Sequence, residues 1–135
     1  MARWLFKQEP DCYSFADLQK DGSTLWDGVT NALAQKHLRA IKKGDKVFFY
    51  HTGNEKAVVG IMEAVADPEP LADDPDGKLV GVKVKATKKL KNPVTLTAIK
   101  ADEAFAEWEL VRISRLSVMP VSNEIWKKIE AMSNG

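Results

Sequence analysis

The 135-residue chain is poor in the residues that make covalent or metal cross-links, with one cysteine, Cys12, and two histidines, His37 and His51. A lone cysteine excludes an internal disulfide, and with two histidines it falls short of the ligands of a structural zinc site. No stretch approaches the ~20 consecutive apolar residues of a membrane-spanning helix. Met1, Ala2 and Arg3 lead straight into strand-like sequence with no apolar leader, so the expectation is a cytoplasmic protein without a membrane partner. Net charge is nearly absent too, because 20 Lys and Arg against 19 Asp and Glu leave a formal +1. That excludes the strong, salt-sensitive grip of a protein that coats DNA, and any nucleic-acid contact has to be local. The phosphate-loop, dinucleotide-fold, HExxH and GxSxG motifs are all missing. Around Cys12 the Asp11-Cys12-Tyr13 context after Pro10 is that of a turn, with no nucleophile signature. The chain therefore reads as a binding protein without cofactor or catalytic centre.

What is present suits one domain spanning residues 1–135, since 44% apolar residues can build one core and 29% charged residues keep its surface wet. Trp4-Leu5-Phe6-Lys7 is a first strand, closed by Glu9-Pro10 because proline ends ladder pairing. Ser14-Phe15-Ala16-Asp17 has capping-box spacing ahead of Leu18, and Asp21-Gly22 ends the short helix. Ala34, Leu38 and Ile41 recur on one face and predict a helix over residues 31–43, stopped by Gly44. Residues 45–51 and 57–66 are rich in Val, Phe and Tyr and flank the turn Thr52-Gly53-Asn54, which predicts a hairpin. Residues 67–77, with three prolines and five acids, form the one long loop. Alternation from Val80 to Thr87 sets Val80, Val82, Val84 and Ala86 against Gly81, Lys83, Lys85 and Thr87, the pattern of a half-buried antiparallel strand. A helical piece over 97–107, a strand through 113–121 and a final helix capped by Ser122, with Ile125, Trp126, Ile129 and Met132 inward, complete the chain. About five strands and three or four short helices make an α+β fold with a closed or nearly closed sheet.

Two segments carry candidate chemistry. Trp26-Asp27-Gly28-Val29-Thr30-Asn31 joins an aromatic plate, a flexible glycine and hydrogen-bonding groups ahead of a helix start. The Trp26 indole can stack on a base while Thr30 and Asn31 read its polar edge, although on composition alone the same indole reads as core. In Phe48-Phe49-Tyr50-His51, alternation sends Phe48 and Tyr50 to one face and Phe49 and His51 to the other, one face being core and the other a candidate pocket wall. His51 taken alone fits a satisfied structural histidine, with ligand binding as the alternative. Charge is uneven: Asp67, Glu69, Asp73, Asp74 and Asp76 precede Lys83, Lys85, Lys88, Lys89 and Lys91. These form either a solvated acidic loop beside a solvated basic strand or a lysine ridge that faces phosphates.

The order and spacing of Trp4-Leu5-Phe6-Lys7-Gln8-Glu9-Pro10, Tyr13-Ser14, Asp17-Leu18, Trp26-Asp27-Gly28-Val29, Asn31, Tyr50-His51 and Arg115-Leu116-Ser117-Val118-Met119-Pro120-Val121 closely resemble the EVE domain family. The resemblance implies a PUA-like fold, a small β-barrel of five to six mostly antiparallel strands with short peripheral helices, related to the YTH domains that hold methylated adenine in an aromatic cage. It also implies a reader of a modified base in RNA or DNA. Its pocket positions fall on Trp26, Lys7, Gln8, Thr30, Asn31, Tyr50 and His51, with no metal. The commonest family pattern carries Ser at the Gln8 position, Arg at Thr30 and Tyr at Ala32, so these are the places where specificity departs. A single base pocket is weak, so affinity needs flanking phosphate contacts, for which Lys42, Lys43, Lys83, Lys85 and Lys88 are the suppliers, or a protein partner. The alternatives are a small enzyme or ligand-binding protein for a nucleotide-like metabolite, using His51 or Cys12, and a plain protein-interaction module.

Overall fold

The computed structural model describes residues 2–72 and 74–135, so Asp73 of the acidic loop lies outside the described residues. Strand β1 (Arg3–Gln8) pairs in parallel with β3 (Lys46–His51). Parallel neighbours need a crossover, and the chain between them supplies one through α1 (Phe15–Asp21), β2 (Ser23–Trp26) and α2 (Ala32–Ala40). The other pairs are antiparallel: β3 with β4 (Ala57–Ala64), β4 with the long β6 (Val80–Thr95), β6 with β2, and β1 with β7 (Val118–Pro120). The order is β2-β6-β4-β3-β1-β7, and β5 (Glu69–Pro70) lies against the start of β6.

The sheet is rolled. Trp26 on the edge strand β2 packs its ring 5.1 Å from Phe6 of β1 and 5.3 Å from Phe49 of β3, although β6 and β4 lie between these strands. Register shifts in the β3/β4 and β4/β6 ladders supply the bend. At the bend stands Gly60, where a Cβ would lie 2.4 Å from Cζ of Phe15, the ring that plugs the interior edge-on against Phe49. Gly60→Ala is therefore expected to lower stability by about 1–3 kcal/mol through overpacking. Truncating the opposing ring in a Gly60→Ala, Phe15→Leu double variant should recover part of the loss, read as a non-additive shift in the urea midpoint.

The convex face is covered by α5 (Asn123–Asn134), whose Trp126 stacks on Phe48 at 3.7 Å and 15°. Phe49 and His51 face the rolled interior and Phe48 lies under α5, while Tyr50, on the Phe48 face, lines a cleft beyond the cover of that helix. The predicted caps at Ser14, with Asp17, and at Ser122 are both in place. Helix α2 is shorter than predicted because Ile41 is extended, which leaves Lys42 and Lys43 in the turn before β3. The helix expected over 97–107 is broken into α3 (Leu96–Lys100), a 3-10 turn (Glu103–Phe105) and α4 (Glu109–Arg112), since the Asp102 carboxylate accepts from Ala104 N–H and restarts the chain. The strand expected through 113–121 shrinks to β7, with Leu116 N–H donating back to Ile113 in a turn. In β6 Val82 and Val84 are buried, Val80 is half-buried, and Lys83 and Lys85 are exposed, as the alternation predicts. Gly81 is buried as well, because a Cβ there would lie 2.8 Å from the Trp26 carbonyl oxygen and 2.9 Å from Leu71 Cδ2.

Candidate functional site

Rolling the sheet without pairing β2 to β1 leaves a seam between them. A cleft of about 190 Å3 opens there, lined by Gln8, Tyr13, Thr24, Leu25, Trp26 and Asp27. Gln8 is the last residue of β1, and its Oε1 accepts from Glu9 N–H at 3.0 Å, which leaves the amide NH2 as the outward donor. Tyr13 arrives on the turn before α1 and is steered by its hydroxyl, which donates to Asp21 Oδ2 at 2.8 Å. Burial and that carboxylate push the phenol above its ordinary pKa, so it stays protonated at neutral pH. Thr24, Leu25 and Trp26 come from β2, and Asp27 follows with an exposed carboxylate. The indole is only 4% exposed and rests on Phe6 and Phe49, so it floors the cleft without standing open as a plate.

The loop after Trp26 is fixed from behind by Gln35, a helix residue only 2% exposed. Its Nε2 donates to the carbonyls of Val29 (2.6 Å) and Val80 (3.2 Å), and its Oε1 accepts from Val80 N–H (3.0 Å). Gly28, at φ 76°, makes the turn that a side chain would strain. Beyond Asp27 and Gly28 lies a shallower groove of about 380 Å3 against Leu71, Asp74, Pro75 and Leu79. Asp74 is engaged in holding its own loop, accepting from the N–H groups of Asp76, Lys78 and Leu79, contacts that keep its carboxyl below the usual range. The smaller cleft, with its aromatic floor, is the better container for one flat ring.

The structure brings together two of the sequence candidates, Trp26 and Gln8, and adds Tyr13, Thr24, Leu25 and Asp27. Tyr13 and Asp27 stand in motifs legible in the sequence, and Asp27 directly follows the indole. Thr30 and Asn31 are exposed outside the cleft lining, and Asn31 is the N-cap of α2, its Oδ1 accepting from Ala34 N–H at 3.0 Å. Lys7 and Tyr50 line a different cleft, of about 230 Å3. Consecutive strand residues point to opposite faces, so Gln8 and Lys7 cannot share one. There Lys7 Nζ donates to the Ser114 carbonyl at 2.9 Å, and burial lowers its pKa. Burial likewise pushes Tyr50 up to about 12.

His51, 8% exposed, has both ring nitrogens engaged. Phe15 N–H can only donate, so Nε2 is the acceptor at 3.0 Å, and Nδ1 carries the proton to Glu55 Oε1 at 2.7 Å. It fixes the start of α1 to the end of β3. Cys12 is exposed beside Glu9, its Sγ 3.7 Å from Oε2, so it forms no nucleophile–base pair with His51.

Among the lysines expected to meet phosphate, Lys83 stands opposite Leu25 on the strand next to the cleft wall. Lys85 lies 3.6 Å from Glu63 Oε2. Lys88 lies on a small depression near Glu130 and Ser133. Lys42 and Lys43 are exposed in the turn before β3, with their backbone N–H groups held by Asp45 and Asp67. Among the described residues no His, Cys, Asp and Glu cluster suits a metal ion, and no helix is long and apolar enough to cross a membrane.

A rolled mixed sheet, helices over its faces and a small cleft at the open seam make this a PUA-like domain. The model of the EVE domain matches residues 2–132, and the chain belongs to that family. A Rhodopseudomonas palustris protein solved by NMR superposes with a TM-score of 0.94 at 41% identity, covering 99% of this chain and 94% of that one. The human THYN1 protein, solved in complex with DNA containing 5-methylcytosine, superposes with a TM-score of 0.92 at 25% identity, over 100% of this chain and 99% of that one. Thymocyte nuclear protein 1 of Rattus norvegicus is 30% identical over 90% of this chain and 69% of its own length. The match to the human sequence, 37% identical, spans 51% of this chain and 36% of that protein.

Proposed function

We propose that the protein is a non-catalytic reader of a modified nucleobase, which it receives in the cleft at the β1/β2 seam. One observation carries the reading: an aromatic-floored cleft with a free amide donor at Gln8 and a carboxylate acceptor at Asp27, in a fold shared with a human protein solved on 5-methylcytosine DNA. At about 190 Å3 the cleft is smaller than the ~300–1,000 Å3 of sites for drug-sized ligands, which suits a single base. Tyr13 flanks the ring and offers it an aromatic face, while the nearly buried Trp26 indole closes the cleft beneath. Stacking on an aromatic contributes about 1–3 kcal/mol per base. The exocyclic amine of cytosine or adenine donates to Asp27, and Gln8 donates to a ring nitrogen or carbonyl. A methyl adds roughly 0.8 kcal/mol, a modest discrimination, and in duplex DNA flipping the base out costs a few kcal/mol.

Gln8→Ala and Asp27→Ala each remove one polar contact of about 1–1.5 kcal/mol. Fluorescence anisotropy with a single-stranded oligonucleotide bearing 5-methylcytosine should show affinity weakened about 5- to 10-fold in each variant, with the urea midpoint unchanged. Unaltered affinity in both variants would sink the assignment of the cleft.

A further inference from the structure

The second cleft, about 230 Å3, gathers three cations, Lys7, Lys56 and Lys100, and three hydroxyl-bearing residues, Tyr50, Thr52 and Ser114, above the apolar floor of Leu96 and Val111. No acid lines it, and none of the three lysines makes an ion pair with a described residue. In a chain of net charge +1 this is a local concentration of positive charge.

The fold anchors the Lys7 ammonium and fixes the backbone that carries Lys56. Lys7 Nζ is anchored on the Ser114 carbonyl and lies 5.7 Å from the centre of the Tyr50 ring. Lys56 has φ 47°, the only non-glycine residue in the left-handed region among the described residues, and its carbonyl accepts from Leu96 N–H at 2.8 Å. Strain of about 1–3 kcal/mol persists where surrounding contacts over-determine it. Here it holds the β3–β4 turn, and Lys56 with it, against the start of the helix that carries Lys100. The cation Lys7 and the base-cleft residue Gln8 are chain neighbours on opposite faces of β1, and Thr52 N–H donates to the Gln8 carbonyl at 3.0 Å. One strand end therefore separates the two clefts.

We propose that the lysine cleft is a phosphate subsite: it binds a backbone phosphate flanking the base held in the Trp26 cleft, so that one strand crosses the Gln8–Thr52 ridge with base on one side and phosphate on the other. Lys7, Lys56 and Lys100 neutralise the phosphate and the Thr52 and Tyr50 hydroxyls donate to its oxygens. This rests on the base-reading function proposed above.

The test compares wild type with the Lys56→Gln, Lys100→Gln double variant, and with Lys36→Gln, Lys127→Gln as a control that removes the same charge from exposed positions on α2 and α5. Binding of a single-stranded oligonucleotide with one 5-methylcytosine is measured across salt concentrations. The cleft variant should bind about 10-fold more weakly at low salt, with its log–log salt slope shallower by up to about 0.7, the increment for one neutralised phosphate on a single strand. The control pair and the urea midpoints should stay near wild type. An unchanged slope in the cleft variant, or an equal loss in the control pair, overturns the proposal. Free 5-methylcytidine nucleoside, which has no phosphate, should bind wild type and cleft variant alike; if it perturbs no resonance of Gln8, Trp26 or Asp27 while the oligonucleotide slope still falls, the base reading fails and the phosphate site stands. Inorganic phosphate that shifts Thr52 and Tyr50 fully, with no slope change on the oligonucleotide, marks a site for free phosphate and overturns the strand-crossing proposal.

Discussion

Trp26→Ala is expected to lower stability by about 3–5 kcal/mol, enough to unfold much of a typical domain of this size at ambient temperature. The indole is 4% exposed and touches rings on β1 and β3 from an edge strand that pairs with neither, so it pins the roll of the sheet. Removing it opens a large cavity and releases β2, which has one strand partner, β6. Urea unfolding should show a large drop in midpoint, and any accompanying loss of ligand binding then reports unfolding. Trp26→Phe retains a ring against Phe6 and Phe49 and should cost about 1–2 kcal/mol, leaving a folded protein in which the contribution of the indole to binding can be read. A Trp26→Ala protein as stable as wild type would contradict the placement of the ring.

Asp45→Ala is the second large effect, at about 3–4 kcal/mol. Its carboxylate, 4% exposed, collects three donors: Ala2 N–H at 3.1 Å on Oδ1, and Trp4 Nε1–H and Lys42 N–H at 3.0 Å each on Oδ2. Removing it strands the buried Trp4 indole N–H, and an unsatisfied buried donor costs more than the net worth of the bond. It also frees the turn that enters β3 and the start of β1, the strand that both clefts share. Asp45→Asn keeps an oxygen but loses the charge, so about half the effect is expected, with faster hydrogen exchange at the Trp4 indole in both variants.

Asp45 shows where the sequence stops being legible. Its donors come from residue 42 and from the chain start, and no local pattern marks a carboxylate that receives an indole 41 positions away. The same holds for His51, whose partner Phe15 N–H is 36 residues distant. By contrast, contacts within one turn were readable: the Ser14–Asp17 capping box, the Ser122 cap and the valine–lysine alternation of β6 depend on near neighbours and appear as predicted. Strand β2 was missed because four residues between a helix stop and Asp27-Gly28 carry too little periodicity. That omission hid the seam, since the cleft exists only because β2 rolls toward β1 without pairing to it.

Of the positions the resemblance implies, Gln8 and Trp26 line the seam cleft, Lys7 and Tyr50 line the other cleft, and His51 is held between Phe15 N–H and Glu55. Strand parity separates Lys7 from Gln8 in the sequence itself. The surroundings of Tyr50 and His51 come from α3 and α4 on one side and α1 on the other, which no pattern within Lys46–His51 records. The continuous apolar run there is what a strand covered on both sides requires.

The most direct test of base reading is an amide and indole NMR titration with two matched single-stranded oligonucleotides, one carrying 5-methylcytosine and one cytosine. The predicted result is saturable movement of the Trp26 indole N–H, the Gln8 side-chain amide and the Gly28 amide, with tighter binding of the methylated strand. Equal affinity for the two strands, or shifts that leave these three groups still, would contradict it.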